Sequence, residues 1–474
     1  MGKYTNLVKN ILIFAIGTML SKLMVFLMMP LYTRYLTPEQ SGIIGILIPT
    51  ANIIIPVAFL CIQDAVTRFG LDKNYKKTDI LNVGLRVIFF GFIASFLLLP
   101  ILMNIDGLKE YLVLIYAFIL CSILNQTVMQ FARTSGYIKI FAGAGVVNTA
   151  TMIILNIIFL TGFNLGVTGY ISAIFLADLV TATFVFIVTK QWRFIHFSKT
   201  KKGVMKTMLL YSIPLMPNAL SWWITNASDR YFITYMLSTE INGLYEYAYR
   251  IPTLITLISS VFMQAWLLSA VGESSPEEKS RFYSVVFNSY QSLLFIAAGF
   301  VMLLIKPIIS MLDSSYHDAW RFVPILLLAA VFQCFSAFYG SVYIVAKKTK
   351  SIMLTTLIGA AANLLLNAFL IPGYGANGAA FATFISFLLV YLLRAIWAEK
   401  FIAVNNNVPV MYINMLLIGL QTVIMLFEVP LWWLWATILF ILIAILNVKP
   451  VLKSIYKLLD ERRKKDAAVG EILD

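Results

Sequence analysis

Charged residues are scarce in this chain of 474 residues. Only 12% of them are Asp, Glu, Lys or Arg, whereas 60% are hydrophobic. A soluble domain carries about 25% charged residues, so this composition excludes an ordinary soluble protein. Cysteine and histidine are scarcer still, with three and two residues. This scarcity argues against a disulfide framework and a His/Cys metal site. The sequence also contains no Walker loop, which argues against an ATP-driven pump within this chain.

Hydrophobic stretches of about 20 residues recur along the whole chain. Each is long enough to cross a hydrocarbon core about 30 Å thick. They predict an all-α integral membrane protein with about 14 transmembrane helices. The predicted spans are 11–31, 42–62, 83–103, 111–131, 141–161, 168–188, 209–236, 244–268, 283–305, 322–345, 352–371, 376–397, 411–427 and 430–447. The alternative is twelve spans followed by a hydrophobic hairpin that lies in the interface.

Lys and Arg are distributed very unevenly between the connecting segments. If the N-terminus is inside, the outer segments receive only Arg34, Lys109, Lys306 and Arg321, and the inner segments receive most of the others, including Arg394. The positive-inside rule then predicts that both termini are cytoplasmic. The net charge of +14 therefore indicates membrane topology and attraction to anionic lipids, and no nucleic-acid partner is predicted.

Two parts of the chain resemble each other at a spacing of about 200 residues. Leu36–Ile43 returns as Leu237–Leu244, and Gly166–Gly169 returns as Gly375–Gly378. The matches predict two six-helix lobes, which are parallel because each contains an even number of spans. This organisation is typical of a transporter whose repeats rock against each other. The predicted divisions are an N-terminal lobe at 1–189, a basic cytoplasmic linker at 190–207, a C-terminal lobe at 208–398, helices 13 and 14 at 410–448, and a basic cytoplasmic tail at 449–474.

Ionisable residues within spans are costly, so each is a functional candidate. Lys22 and Arg250 come from opposite lobes and would bind a diphosphate if they faced each other, since Arg offers a fork and Lys a point charge. A polar stripe on predicted helix 7 would face water or a ligand. The predicted substrate contacts are Lys22, Arg250, Arg230, Asn218, Ser221 and Thr225. The alternatives are neutralisation by a neighbour, with Glu246 pairing with Arg250 and Asp178 with Lys22, and, for Arg230, snorkelling to the outer boundary of the membrane.

A second group of residues is predicted to form gates or to couple transport to an ion. Asp178 in predicted helix 6 is the lone acid predicted near the middle of the membrane, and a carboxylate there can carry a proton or Na⁺. Pairing with Lys22 is the competing interpretation. The remaining candidates, which favour salt bridges near a membrane boundary or within a helix, are Asp64, Arg68, Arg86 and Glu246.

The N-terminal part of the chain contains three motifs: Asn10-x-x-x-Phe14-x-x-Gly17-x-x-x-Ser21-Lys22, the run Pro30-Leu-Tyr-Thr-Arg-Tyr-Leu-Thr-Pro-Glu39-x-x-Gly42, and Gln63-Asp64-Ala65-x-x-Arg68-Phe69. In these motifs the chain resembles the multidrug/oligosaccharidyl-lipid/polysaccharide exporter superfamily, in its branch of Wzx-type flippases. The resemblance implies two six-helix lobes around a cationic cavity. It also implies transport of an undecaprenyl-diphosphate-linked oligosaccharide between leaflets of a bacterial plasma membrane, for capsule, exopolysaccharide or O-antigen-type assembly. A polysaccharide polymerase and chain-length machinery are the expected partners.

Other functions stay open at this point. The stretch Gly17–Lys22 is similar to helix 1 of lipid II flippases, which have an essential arginine where this chain has Lys22. A drug/cation antiporter of the related multidrug branch is a further alternative. A membrane glycosyltransferase or polymerase is disfavoured, because the outer loops are too short to build its site. We therefore expect a transporter that is not an enzyme and has no cofactor other than a coupling Na⁺ or H⁺.

Overall fold

The structure is a computed structural model that describes residues 19, 23–105, 107–196, 201, 203–269, 276–346 and 348–470. Over these residues it is helical, which confirms the predicted all-α membrane fold. The α-helices are α1 Met29–Tyr35, α2 Pro38–Ala58, α3 Ile62–Gly70, α4 Lys77–Ser95, α5 Leu99–Met103, α6 Leu112–Thr134, α7 Ile138–Ile157, α8 Gly166–Val188, α9 Val204–Ser212, α10 Met216–Met236, α11 Thr239–Arg250, α12 Thr253–Ser269, α13 Pro276–Ser310, α14 Val323–Val345, α15 Thr349–Ala398, α16 Val408–Leu426 and α17 Trp432–Gly470. Short 3₁₀ segments lie at Phe96–Leu98, Lys109–Tyr111, Gln191–Phe194, Ile213–Leu215 and Ser314–Phe322, and a π-helical turn at Ile158–Gly162.

Ten helices in the described residues are long and apolar enough to cross a membrane. One of them, Lys350–Ala398, has 49 residues and contains both predicted spans 11 and 12. Predicted span 1 lies mostly outside the described residues. Predicted span 7 covers the 3₁₀ segment Ile213–Leu215 and α10, which are too polar to count among the ten, and predicted span 8 is split between α11 and α12. These four positions account for the difference from the fourteen predicted spans.

The chain forms two compact units. The first comprises residues 1–247, 312–317 and 363–376, and the second 248–311, 318–362 and 377–474. The predicted lobe, linker and tail boundaries stay predictions. In the first unit, α6, α7 and α8 pack around a small apolar cluster of Val128, Ala132, Ala144 and Val185.

The repeated motif begins a helix for a local reason. Thr37 is the N-cap of α2, and its hydroxyl accepts a hydrogen bond from the backbone N–H of Gln40 at 3.2 Å. The Gln40 side chain in turn accepts from the N–H of Thr37 at 3.1 Å. Pro38 occupies the first helical position, where a missing N–H costs nothing. The Leu-Thr-Pro-Glu-Gln run is therefore a capping box that fixes where α2 starts.

The second repeated motif is also structural. Gly166 and Gly375, which the repeat pairs, both adopt left-handed backbone conformations, with φ of +54° and +59°. Side chains with a Cβ rarely adopt this region, so glycine is needed at both turns. Gly375 divides the long helix α15 into two helical halves, which places the break where the sequence predicts a boundary between spans.

The second unit buries an arginine that the sequence assigns to an inner loop. Arg394 is only 3% exposed. Its guanidinium donates to the Ser336 carbonyl at 2.8 Å and to the hydroxyls of Thr355 and Thr356 at 3.1 and 3.0 Å. Because these acceptors lie on different helices, Arg394 links α14 to both halves of α15. Neutral oxygens satisfy the donors of its guanidinium. The prediction that Arg394 lies in an inner loop is wrong, because the residue lies within α15.

A cation anchors the two C-terminal helices within the second unit. The Lys306 ammonium lies 4.2 Å from the centre of the Trp320 ring and 4.7 Å from that of Trp432. It also pairs with the Glu428 carboxylate at 3.0 Å. Such cation–π contacts contribute about 0.5–2 kcal/mol each. Lys306 on α13 thus fixes the turn that joins α16 and α17.

Candidate functional site

A cavity of about 300 Å³ with both polar and apolar walls lies between α2 and α10. Its α2 wall includes Gly45, Pro49 and Asn52, which follow one another at helical spacing. Its α10 wall includes Trp223, Asn226 and Arg230, and Glu246 of α11 completes the polar lining. Polar side chains are rare in membrane helices unless they face protein or a water-filled cavity. This cavity is therefore the candidate functional site.

An ionic network borders the cavity. The Arg230 Nε donates to the Glu246 carboxylate at 2.8 Å, and an Nη of Arg230 lies 3.5 Å from Asp229. The same Nη donates to the Asn226 carbonyl at 2.6 Å. Asp229 is 1% exposed and also accepts from the Tyr245 hydroxyl at 2.8 Å. Two carboxylates thus share one guanidinium, so these groups do not form a cationic patch.

The predicted polar stripe lies on a neighbouring face of α10. Ser221 and Thr225 are buried, and their hydroxyls donate to backbone carbonyls of their own helix at 2.7 and 3.0 Å. Neither they nor Asn218 line the cavity described above. The structure does bring Arg230 and Glu246 together at the cavity. The role of Asn218, Ser221 and Thr225 as substrate contacts stays a prediction.

Of the two predicted cations, Lys22 and Arg250, the structure describes Arg250. Lys22 lies outside the described residues. Arg250 is the last residue of α11 and is half-buried, and its carbonyl accepts a hydrogen bond from the Thr253 hydroxyl. Glu246, which the sequence offers as a partner for Arg250, pairs with Arg230. The diphosphate site between Lys22 and Arg250 stays a prediction.

Asp178 lies within a cluster of neutral donors. It is on α8 and accepts from the side-chain amides of Asn125 on α6 at 2.8 Å and Asn148 on α7 at 3.0 Å. The Ser122 hydroxyl also donates to it. The described structure surrounds this carboxylate with amides and a hydroxyl, groups that can serve a protonated acid or a bound cation as well as a carboxylate. Its predicted partner Lys22 lies outside the described residues.

The predicted inner gate residues lie on α3 and α4 and do not line the cavity. Asp64 and Arg68 are exposed on α3, and Asp64 accepts from the neighbouring Gln63 amide at 3.3 Å. Arg86 is half-buried on α4. None of the three lines the cavity between α2 and α10, so their role in gating stays a prediction.

The matched motifs of the repeat contact each other directly. A Cβ built on Gly42 would lie 1.9 Å from the carbonyl oxygen of Thr239, and one on Gly243 would lie 1.8 Å from that of Pro38. Thr239 and Pro38 are themselves equivalent in the repeat, so the two contacts are reciprocal. The Asn242 amide also donates to the Gly42 carbonyl at 2.9 Å. We refer to this contact of Pro38–Gly42 with Thr239–Gly243 as the glycine seam.

A short loop covers the glycine seam. The Tyr316 hydroxyl donates to the Leu36 carbonyl at 2.9 Å and shares a hydrogen bond of 2.6 Å with the Ser41 hydroxyl. Beside it, Asp313 accepts from the N–H and hydroxyl of Ser315 at 3.0 and 2.7 Å. These bonds lower the pKa of Asp313, since they favour its charged form. These hydrogen bonds therefore favour the charged carboxylate that Asp313 carries at neutral pH.

Residues 7–267 match the model of a protein family described as "Polysaccharide biosynthesis protein". This match covers more than half of the chain. The chain belongs to the polysaccharide biosynthesis protein family. The match contains both arms of the glycine seam, the cavity and the Asp178 cluster, so the features described above lie within the part that defines the family.

The sequence of this family member is similar to those of two archaeal proteins. The uncharacterized membrane protein MJ1375 of Methanocaldococcus jannaschii is 23% identical over 411 residues, which are 82% of this chain and 97% of the relative. A second relative, named "Probable low-salt glycan biosynthesis flippase Agl15", comes from Haloferax volcanii. It is 26% identical over 228 residues, 46% of this chain and 48% of the relative.

Solved structures of transporters share the fold of this polysaccharide biosynthesis protein. The lipid II flippase MurJ, in an inward closed conformation, superposes with a TM-score of 0.68 at 15% identity and covers 94% of this chain and 100% of its own. An inward-facing multidrug transporter of the MATE family gives 0.62 at 16% identity, covering 81% and 98%. At these identities the likeness concerns the fold, and it confirms the predicted fold class.

Several residues of the candidate sites are missed by sequence reasoning. Asn52 and Trp223 line the cavity, whereas Asn125 and Asn148 contact Asp178. The available signal is an amide side chain within an apolar span, which occurs at Asn52, Asn125 and Asn148. It is weak because amides also stabilise helix packing in membranes. Buried Asn367, for example, donates to Asn363 on its own helix.

Proposed function

We propose that this family member flips an undecaprenyl-diphosphate-linked oligosaccharide from the inner to the outer leaflet of a bacterial plasma membrane. The observation that carries the proposal is the family match over residues 7–267. The relative named as a glycan biosynthesis flippase supports the same class of cargo. Both termini would be cytoplasmic, and the product would enter capsule, exopolysaccharide or O-antigen-type assembly. A polymerase and chain-length machinery would receive the cargo, and the chain itself would catalyse no covalent step.

The glycine seam supports transport by alternating access. Its two arms belong to the two predicted lobes, and the predicted topology puts both arms on the outer side. While the helices cross this closely, cargo has no passage between them. Release to the outer leaflet then requires the seam to separate, and the hydrogen bonds of Tyr316 and Asn242 break with it. Each broken bond costs about 0.5–1.5 kcal/mol, which a driving ion or the cargo can supply.

Asp178 is the proposed coupling group for H⁺ or Na⁺. A carboxylate among Ser122, Asn125 and Asn148 can bind a proton or a cation, and either would neutralise its charge. Moving a neutral group relative to the membrane interior costs much less than moving a charged one. Occupancy of Asp178 would therefore set which conformations are accessible.

Loss of the protein should trap the cargo on the cytoplasmic side. In a strain that lacks the chain, we expect the undecaprenyl-diphosphate-linked repeat unit to accumulate on the inner leaflet and the surface polysaccharide to fall. Leaflet-resolved extraction with an enzyme that modifies only outward-facing saccharide measures both. An unchanged lipid-linked pool, with altered drug resistance instead, would overturn the proposed function.

The two predicted cations should be needed for export. Lys22→Ala and Arg250→Ala each remove a charge that would meet the diphosphate, and a lost charge-assisted hydrogen bond of about 1.5–3 kcal/mol lowers transport by roughly tenfold or more. Lys22→Arg should keep part of the activity because it keeps the charge. Surface polysaccharide per amount of membrane protein is the measurement, and full export by both alanine variants would refute the cationic site.

Drug/cation antiport is the second candidate, and one observation favours it. The cavity network places the carboxylates of Asp229 and Glu246 beside Arg230, and carboxylates suit a cationic drug. Efflux of ethidium from cells that overproduce the chain would distinguish the two functions. Lipid II transport is a variant of the leading proposal, and the MurJ-like fold is compatible with it. Rescue of a strain depleted of its lipid II flippase would identify it.

A further inference from the structure

We propose that the cavity between α2 and α10 is a subsite for one or two neutral sugar rings of the cargo. Trp223 would be its aromatic wall, and Glu246, Asn52 and Asn226 its hydroxyl partners. This inference rests on the proposed function, because it assigns one part of the lipid-linked saccharide to one part of the site.

The size of the cavity fits a fragment of the cargo. Its volume of about 300 Å³ is at the lower end of the ~300–1,000 Å³ of small-molecule pockets. A lipid-linked oligosaccharide as a whole does not fit this space. The cavity can therefore recognise only a part of the cargo, either the diphosphate or a sugar.

The charges around the cavity disfavour the diphosphate. Arg230 already pairs with Glu246 at 2.8 Å and lies 3.5 Å from an oxygen of Asp229. A diphosphate next to Arg230 would also meet the two carboxylates, and like charges repel strongly at such distances. We infer that Arg230 acts as a positioning residue, which holds the Glu246 carboxylate at the cavity wall.

The aromatic wall is rigid. The Trp223 indole N–H donates to the Pro49 carbonyl on α2 at 2.7 Å, and its ring packs on Tyr231 with centroids 5.4 Å apart. Tyr231 is itself fixed to α2, because its hydroxyl bonds to the Thr50 hydroxyl at 2.6 Å. A fixed indole offers apolar area at little entropic cost. The C–H groups on one face of a pyranose pack against such a ring as weak donors.

The polar lining suits hydroxyl groups. Glu246 lines the cavity with a side chain that is 19% exposed, and its carboxylate is a strong acceptor for sugar hydroxyls. Asn52 and Asn226 add side-chain amides, which can both donate and accept. A uronic acid would place a second carboxylate near Glu246. The subsite should therefore prefer neutral sugars to acidic ones.

Saturation-transfer NMR tests this preference on the full chain in lipid nanodiscs. The probes are free glucose and glucuronate, which differ at C6, where glucuronate carries a charged carboxylate. We expect a saturation-transfer signal from the neutral sugar and a signal from glucuronate that is at least roughly tenfold weaker. A repulsive contact of about 1.4 kcal/mol produces a tenfold difference in affinity. Glu246→Gln should narrow this ratio to roughly threefold or less, since it removes the repelling charge. Trp223→Ala should lower the signal of the neutral sugar roughly tenfold.

Two further variants control for folding. Trp222→Phe changes the neighbouring indole, which does not line the cavity, and should leave both signals unchanged. Trp223→Phe keeps an aromatic ring and should keep part of the neutral-sugar signal, even if the alanine variant unfolds. The subsite would be overturned if the wild-type chain gave no saturation-transfer signal from the sugar. It would also be overturned if folded Trp223→Phe and folded Trp223→Ala gave the same signal as the wild type.

The outcomes separate the subsite from the proposed function. If deletion traps lipid-linked saccharide but the Trp223 and Glu246 variants bind both probes as the wild type does, the subsite is wrong and the flippase function stands. If the sugars bind as expected but deletion leaves the lipid-linked pool unchanged, the subsite stands as a saccharide site and the flippase function fails.

Discussion

Gly42→Ala and Gly243→Ala should each abolish most of the transport. In the described structure, the added methyl group would lie 1.9 or 1.8 Å from a backbone oxygen of the other arm of the glycine seam. A backbone atom cannot move aside as the end of a side chain can. Overpacking of this kind costs about 1–3 kcal/mol, and it would act only while the seam is closed. The closed state would lose about 5- to 150-fold in population.

Accessibility to a membrane-impermeant thiol reagent would measure this loss directly. A single cysteine at position 41, in a background where Cys61, Cys121 and Cys334 are serine, would be shielded in the closed seam because Ser41 is buried there. Labelling from outside should rise strongly in the Gly42→Ala variant. Gly143→Ala is the matched control, since an added Cβ at this helical glycine meets no atom within 4 Å. Wild-type transport and labelling in both seam variants would show that the close contact is not needed.

Asp178→Asn is the second change from which we expect a large effect. Asparagine has nearly the same shape and can hydrogen bond to the neighbouring amides and to Ser122, so the packing of α6, α7 and α8 should survive. It does not take up a proton in the physiological range, and it is a weaker cation ligand than a carboxylate. If Asp178 couples an ion to transport, the variant should lose most of its gradient-driven activity, roughly tenfold or more.

The measurement is uptake of a fluorescent lipid-linked saccharide into the far leaflet of proteoliposomes after a jump in pH or in Na⁺. The response to one of the two gradients should disappear in Asp178→Asn, which also identifies the ion. Asp318→Asn serves as the control, because the Asp318 side chain is 70% exposed. A variant at position 178 that still responds fully to the same gradient would contradict the coupling role.

The architecture could be predicted from the sequence because its signals are local and redundant. Span lengths, the distribution of Lys and Arg, and the glycines at 166 and 375 each point to the same two-repeat membrane fold. The close approach at Gly42 was not predictable, although the motif was visible. A glycine that follows a capping box looks the same whether its missing side chain faces lipid, water or another helix.

The site was harder to predict because polarity alone does not reveal the partner. Ser221 and Thr225 look like a ligand-binding stripe, yet their hydroxyls bond to their own helix, as such residues often do in membranes. Arg394 looks like a loop cation, yet Ser336, Thr355 and Thr356 surround it. The contacts of Arg394 join residues that are distant in sequence, whereas those of Ser221 and Thr225 are local bonds that the pattern of residue types does not reveal. The polar amino acids themselves mark where to look but not what they contact.

The reciprocity of the glycine seam also bears on how the two halves can change over evolutionary time. Gly42 faces the backbone at Thr239 while Gly243 faces the backbone at Pro38, which is the geometry of an isologous interface, in which equivalent patches meet. If a six-helix unit paired with a second copy of itself, the same glycine position would make the contact in each copy. A single codon would then supply both contacts. After fusion into one chain, two separately encoded glycines share that task. Neither half can then accept a larger residue at this position without a compensating change in the other, so drift at the two sites is linked.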